Sequence, residues 1–306
     1  MDRTKIICVV GATASGKTGL GVAIAKAIGG EVISADSMQV YKGMPIATAA
    51  ATADEKQGIP HHLVECLEPE HSFSVADFVR CAGELIDGIT RRGNVPVIVG
   101  GTGLFVDSLV RNIQFADVGE DNTLRKELEQ LSTDELYSRL CRVDPEAAHD
   151  IHPNNKKRVI RGLELYYSGT SKTQQNMQSC INPSPYDALY IGIGYDDRQK
   201  LYDRINLRVN RMLDAGILEE AEAMRSKTSA TSSQAIGHKE LYPYLDGEIS
   251  LEQAVDNLKK GTRHYAKRQL TWFRRNENIH WLYADRMSEQ ELIDTAVELC
   301  RQHIGK

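Results

Sequence analysis

Apolar residues arrive in short unbroken runs early in the chain and at helical spacing further on. Residues 5–10, 31–35 and 95–99 read as strands, because short, mostly apolar runs flanked by turn formers suit strands covered on both faces. Between the first two, Leu20, Ala23, Ile24, Ala27 and Ile28 keep the spacing of one helix face over 18–28, and Gly29-Gly30 ends it. Residues 75–90 predict a second helix. Strands alternating with helices predict an α/β fold with a doubly wound parallel sheet, whose ligands gather beyond the carboxyl ends of its strands.

From about residue 115 to 186 the texture changes. Short polar helices are predicted at 124–128 and 134–140, and 168–185, rich in Ser, Thr, Gln, Asn and Pro, reads as loop. Strand character resumes at 187–195. An inserted helical domain over 116–186 therefore divides a core made of 1–115 and 187–306. The last third reads as helical, with amphipathic stretches at 199–225 and 251–275. In the second, Lys259, Lys260, Arg263 and Lys267 share an arc of about 100°. Leu251, Ala254, Val255, Leu258 and Tyr265 share another, so one face should pack and the other should carry charge.

Composition narrows the class. A length of 306 residues, 41% hydrophobic and 26% charged, suits a soluble globular protein of about two domains. A net charge of −5, from 37 basic and 42 acidic residues, means that any RNA contact must use local basic patches. No apolar run approaches the roughly 20 residues of a membrane span, and a cytoplasmic protein is expected. Cys8, Cys66, Cys81, Cys141, Cys180 and Cys300 form no C-x-x-C pair, which favours reduced thiols over zinc or disulfides. Cys8, inside the first strand, should pack as a small hydrophobe.

The chemistry is densest behind the first strand. Gly11-Ala12-Thr13-Ala14-Ser15-Gly16-Lys17-Thr18 is a G-x-x-x-x-G-K-T phosphate loop, set between a strand and a helix. Backbone amides and the helix dipole would hold an anion there, Lys17 would add charge and Thr18 would offer a hydroxyl to Mg²⁺. This makes the expected fold a P-loop NTPase-like sheet. The next strand ends at Asp36-Ser37, and the strand at 95–99 runs into Gly100-Gly101-Thr102-Gly103, so the phosphate loop, Asp36 and Thr102 are candidates for one site. The glycines would let backbone approach a ligand closely. A basic helix is expected around Lys157, Arg158 and Arg161. Between Lys259 and Arg275 lie seven Lys or Arg and no carboxylate, interleaved with Tyr265, Trp272 and Phe273. Cations among aromatics suit phosphate contact and base stacking, and equally suit a solvated face over a core.

In combination these motifs resemble the tRNA dimethylallyltransferases, or IPP transferases. The matching segments are 11–18, 36–44 (Asp-Ser-Met-Gln-Val-Tyr-Lys-Gly-Met), His61-His62-Leu63, 100–105, 155–166, 204–208, 236–240 and 263–274. The resemblance implies transfer of a dimethylallyl group from dimethylallyl diphosphate to N6 of adenosine 37 in the tRNA anticodon loop, with Mg²⁺ as cofactor, by a monomer. It implies that residues 11–18 hold the diphosphate and that Asp36 takes the N6 proton as general base. Lys17, Thr102 and Arg208 would stabilise charge on the leaving diphosphate. The adenine would be flipped onto Asp36, Ser37, Met38 and Gln39. The tRNA would lie on Lys157, Arg158, Val159, Ile160 and Arg161, on Gln234, Ala235, Ile236, Gly237, His238 and Lys239, and on Lys267, Arg268, Gln269, Leu270, Thr271, Trp272, Phe273 and Arg274.

Some positions depart from the family's pattern. After Met44 the usual Asp-Ile-Gly-Thr-Ala-Lys is replaced by Pro45-Ile46-Ala47-Thr48-Ala49-Ala50, and His238 stands where Tyr is usual. Phe105 stands where Tyr is frequent and Asn210 where Asp is common. The catalytic set is intact, so activity is expected, with RNA affinity or preference affected. The competing expectations are an ATP-dependent P-loop kinase, a transferase that prenylates free AMP, and a non-catalytic RNA-binding relative.

Overall fold

In the computed structural model of the chain, residues 3–113, 115, 122–174, 183–229 and 231–305 are described. Among them, β1 (Thr4–Gly11), β2 (Gly30–Ser34), β3 (His61–His62), β4 (Val95–Gly100), β5 (Tyr186–Gly194) and β6 (Ile279–Tyr283) form one sheet. The order is β3-β2-β4-β1-β5-β6 and every pairing is parallel. β1 shows why an unbroken apolar run was needed. Ile7 and Val9 pack under helices Lys17–Ile28 and Glu289–Ile304, while Ile6, Cys8 and Val10 pack under helices Val75–Arg91 and Gly103–Val110. Each fully buried Ile or Val side chain of this kind contributes about 1.5–3 kcal/mol. Cys8 is fully buried, as expected of a small hydrophobe, and burial pushes its thiol far up.

The chain divides into two compact units, one of residues 1–110 and 185–306, the other of residues 111–184. The second unit has its own core of Leu128, Leu136, Leu140, Val159, Ile160 and Leu163, drawn from helices Asn122–Gln130, Thr133–Val143 and Lys156–Tyr167. Much of the expected loop at 168–185, and Cys180, lie outside the described residues. The other five cysteines are free thiols.

Several elements differ from expectation. The last third is not all helix, because β6 adds the sheet's edge strand there. The stretch expected at 199–225 is two helices, Arg198–Asp214 and Ile217–Met224, parted at Gly216, whose φ of 93° is left-handed. β3 has two residues, too few for any periodicity to reveal. It is held through Glu31 of β2, which accepts from His62 Nε2 (2.7 Å), from Arg92 Nη2 (2.7 Å) and Nε (3.0 Å), and from Asn94 Nδ2 (2.8 Å). The Arg92 hydrogen bonds, helped by Asn94 and His62 and opposed by burial, hold the Glu31 carboxyl down at about 2.

Candidate active site

β1 delivers the phosphate loop to the carboxyl edge of the sheet. Gly16, with φ of 102°, and Ala14, with φ of 62°, turn the chain into the helix that starts at Lys17. The loop's carbonyls are tied outward. Lys17 Nζ donates to Ala12 O (3.2 Å), Arg204 Nε to Ala14 O (2.9 Å) and Tyr195 OH to Ser15 O (3.3 Å). The first amides of a helix have no intrahelical acceptor, so this end of Lys17–Ile28 presents donors and positive potential to an anion. Ser15 Oγ is buried with no hydrogen-bond partner, as a hydroxyl awaiting a ligand oxygen would be.

Asp36 follows β2. Its Oδ1 accepts from Met38 N (3.0 Å), which pins the turn. Thr102, after β4, bonds to that turn from the neighbouring strand. Its amide donates to Ala35 O (3.1 Å), and its Oγ1 accepts from Ser37 N (3.1 Å). The glycines around it serve the protein rather than a ligand. A Cβ at Gly100 would collide with Ala35, at Gly101 with Gln269 and at Gly103 with Trp272.

Two spaces meet at Asp36. A chamber of ≈ 20 Å³ is lined by Lys17, Thr18, Ser34, Asp36, Gln39 and His61. A cavity of ≈ 290 Å³ is lined by Asp36, Ser37, Met38, Arg208, Tyr265 and Arg268, with Thr13, Ala47, Thr48, Gln234, Ile236 and Lys239 on its other sides. The larger is near the lower end of small-molecule pockets, about 300–1,000 Å³. Burial lowers Lys17 to about 8, against the opposing pull of the Asp36 carboxylate and with a further push from Arg208. Burial also lowers Arg208, against the charges of Asp36 and Glu55, and its Nε is buried without a partner. His61 Nδ1 donates to Ile59 O (2.8 Å), so that its buried and unpartnered Nε2 carries a lone pair at the chamber. No group of three or more His, Cys, Asp or Glu converges on a metal position among the described residues. A divalent ion at Thr18 would therefore take most of its ligands from substrate and water, the usual mode for Mg²⁺.

The four expected catalytic residues thus line or bond to one region of the first unit. The expected RNA residues divide. Gln234, Lys239, Lys267, Arg268, Thr271 and Arg274 are exposed, as are Lys157, Arg158 and Arg161 in the second unit. Val159 and Ile160 are corrected to core residues of the second unit. His238 and Phe273 are buried in the first unit, where RNA cannot reach their side chains, Gly237 is buried as well, and Ala235 is buried in the wall of the larger cavity. Ile236 and Leu270 are half-buried. Gln269 is also corrected, because its buried side chain accepts from Thr13 N (2.8 Å) and donates to Gly101 O (3.0 Å), tying the phosphate loop to the β4 turn. Trp272 donates to Asp107 Oδ2 (2.8 Å) and packs over the sheet's core rather than standing free to stack on a base. Tyr265, expected on the packed arc, lines the larger cavity beside Thr102 and Gln269. Burial and the Asp36 charge push its phenol far up, so it stays a hydrogen-bond donor. Leu251, from the same arc, is exposed. The signal for Tyr265 was present in its spacing, four residues before Gln269 on one helix face.

The family profile of the IPP transferases matches residues 39–276, and that of the isopentenyl transferases matches residues 4–64. The chain belongs to the IPP transferase family. A tRNA dimethylallyltransferase of Halalkalibacterium halodurans is 47% identical over 286 residues, 91% of each chain. One from Staphylococcus epidermidis is 46% identical over 309 residues, covering 96% of this chain and 91% of that one. Among solved structures, a tRNA delta(2)-isopentenylpyrophosphate transferase of Staphylococcus epidermidis shares 45% identity with a TM-score of 0.73, over 98% of this chain and 100% of that one. A eukaryotic dimethylallyltransferase acting on tRNA shares 30% identity with a TM-score of 0.81, over 96% of this chain and 77% of its own. The P-loop-type parallel sheet is common to them.

Proposed function

We infer that this chain is a tRNA dimethylallyltransferase, joining the allylic carbon of dimethylallyl diphosphate to N6 of adenosine 37. The observation that carries the reading is Asp36, whose carboxylate lines both the chamber beside the phosphate loop and the larger cavity. The loop amides, Lys17 and Arg208 would bind the diphosphate, and a flipped adenine would enter the larger cavity. The N6 lone pair attacks the allylic carbon. The carbon–oxygen bond breaks with its electron pair leaving on diphosphate, and the N6 proton passes to Asp36. Thr102 Oγ1 accepts from Ser37 N (3.1 Å) and points its own proton at Ser37 Oγ (3.5 Å), and a departing oxygen would take that long hydrogen bond in place of Ser37. Preorganised donors aimed at developing charge are the strongest contribution such a site can make. Thr18 would hold Mg²⁺ together with the diphosphate, and the ion would supply additional counter-charge there. The exposed Lys267, Arg268, Thr271 and Arg274 would contact RNA phosphates, with Lys157, Arg158 and Arg161 doing so on the second unit.

Incubation with dimethylallyl diphosphate, Mg²⁺ and unmodified tRNA, followed by mass analysis of the nucleosides, tests the reading. Prenylated adenosine in the tRNA supports it. Prenyl-AMP from free AMP, ATP consumption, or RNA binding without any product overturns it in favour of the corresponding alternative.

A further inference from the structure

Two of the departures noted in the sequence, at 45–50 and at 238, meet at one carboxylate. Glu220, on helix Ile217–Met224, accepts from Ile46 N (2.7 Å), Ala47 N (2.9 Å) and His238 Nε2 (2.8 Å). The His238 side chain is 1% exposed and that of Glu220 is 7% exposed. The contact lies behind the larger cavity rather than inside it. Ala47 and Thr48 form one part of that cavity's wall, and Gln234, Ala235, Ile236 and Lys239 form another. Gly237, at φ of 124°, brings the two parts together, since a Cβ there would lie 3.1 Å from Ala47 Cβ. From its other end the 45–49 segment is tied to the Asp36 turn. Gln39 Nε2 donates to Thr48 O and Ala49 O (3.3 Å each), and Gln39 Oε1 accepts from Ser34 Oγ (2.8 Å).

We propose that Glu220 and His238 are positioning residues that set the wall of the RNA-base cavity at the distance from Asp36 that the everted base requires. Pro45 and Ala50 carry no charge of their own, so the segment between them is held by Glu220 at its start and by Gln39 at its end, and Glu220 depends on the His238 ring for its third donor. Neither residue touches a reacting atom. Their effect falls on the fit of the RNA and spares the diphosphate side. This rests on the proposed function, and the test separates the two. Failure of the unaltered chain to prenylate tRNA overturns the function, whereas failure of the variants to behave as follows overturns only this inference.

The measurement is steady-state prenylation of an anticodon stem-loop by the full chain, with binding of the same RNA followed directly. In His238→Phe the ring is kept and the donor lost, and KM for the RNA rises about tenfold or more, as expected for losing a hydrogen bond to a buried carboxylate. KM for dimethylallyl diphosphate stays within about twofold, because no group on the diphosphate side has moved. His238→Gln, which restores a side-chain N–H at similar reach, recovers most of the RNA affinity. Thermal melting checks that each variant is folded. Should His238→Phe not fold, Glu220→Asp gives the same split, since it keeps the charge and shortens the reach. An unchanged KM for RNA, an equal loss on both substrates, or no recovery with Gln overturns the proposal.

Discussion

Asp36 carries one proton transfer, and its removal has a bounded cost. Asp36→Ala is expected to lower kcat by about 10²–10⁴-fold, the range of a lost general base. tRNA affinity should stay nearly constant, and a rapid-quench assay beside a binding titration reads both. Full turnover in the variant would exclude the role. Lys17 makes a pH prediction of definite sign. Burial brings it down to about 8, so its ammonium is present below that pH and is lost as pH rises through it. Binding of inorganic diphosphate should weaken through that window, and the weakening should vanish in Lys17→Arg, whose guanidinium stays charged. Calorimetric titration at several pH values decides it. Asp36 and Lys17 were legible in the chain because strand ends and a phosphate loop announce themselves locally. Gln269 and Tyr265 were not, because they reach the same place from a helix whose residues are distant in the chain and whose spacing reads equally well as core.

At the scale of elements, legibility followed length and periodicity. β1, β4 and β5, with the helices Lys17–Ile28, Val75–Arg91 and Leu251–Phe273, fall within a few residues of their expected positions, because each buries a continuous face. β3 exists through its neighbour's side chain rather than its own pattern, and Glu31 is that neighbour. The Glu31 carboxyl, at about 2 when folded against its ordinary 4.5, contributes stability that is complete above the higher value. That contribution fades as pH falls toward the lower one. Glu31→Gln should therefore destabilise the chain by about 1–3 kcal/mol at neutral pH and remove that part of the acid sensitivity. Thermal melts from neutral pH down to the folded value will show whether it does. The break at Gly216 was missed because amphipathic spacing continues across it while the backbone does not.

Across the whole molecule, an acidic chain must gather its RNA contacts on chosen faces. The exposed cations of helix Leu251–Phe273 and its end are one such face, and Lys267 and Arg274 are its test. Replacing both by Ala should weaken tRNA binding and reduce the slope of log affinity against log salt by about one to two units. Fluorescence titrations at four or five salt concentrations would reveal it, and an unaltered slope would move the RNA face elsewhere. The buried positions once counted with them, Ile160, His238, Gln269 and Phe273 among them, should leave the slope untouched, since no phosphate reaches them.

The amide of Thr13 and the side chain of Gln269 stand 256 residues apart along the chain. A nascent polypeptide would thus carry its phosphate-loop signature complete once Thr18 is made and still lack the peg that holds it until helix Leu251–Phe273 has emerged. Transplanting that octapeptide with its strand and helix into another scaffold would carry over the letters of the motif without its tether. In native-state deuterium exchange, the protection of the Thr13 amide proton should depend on the side chain of Gln269.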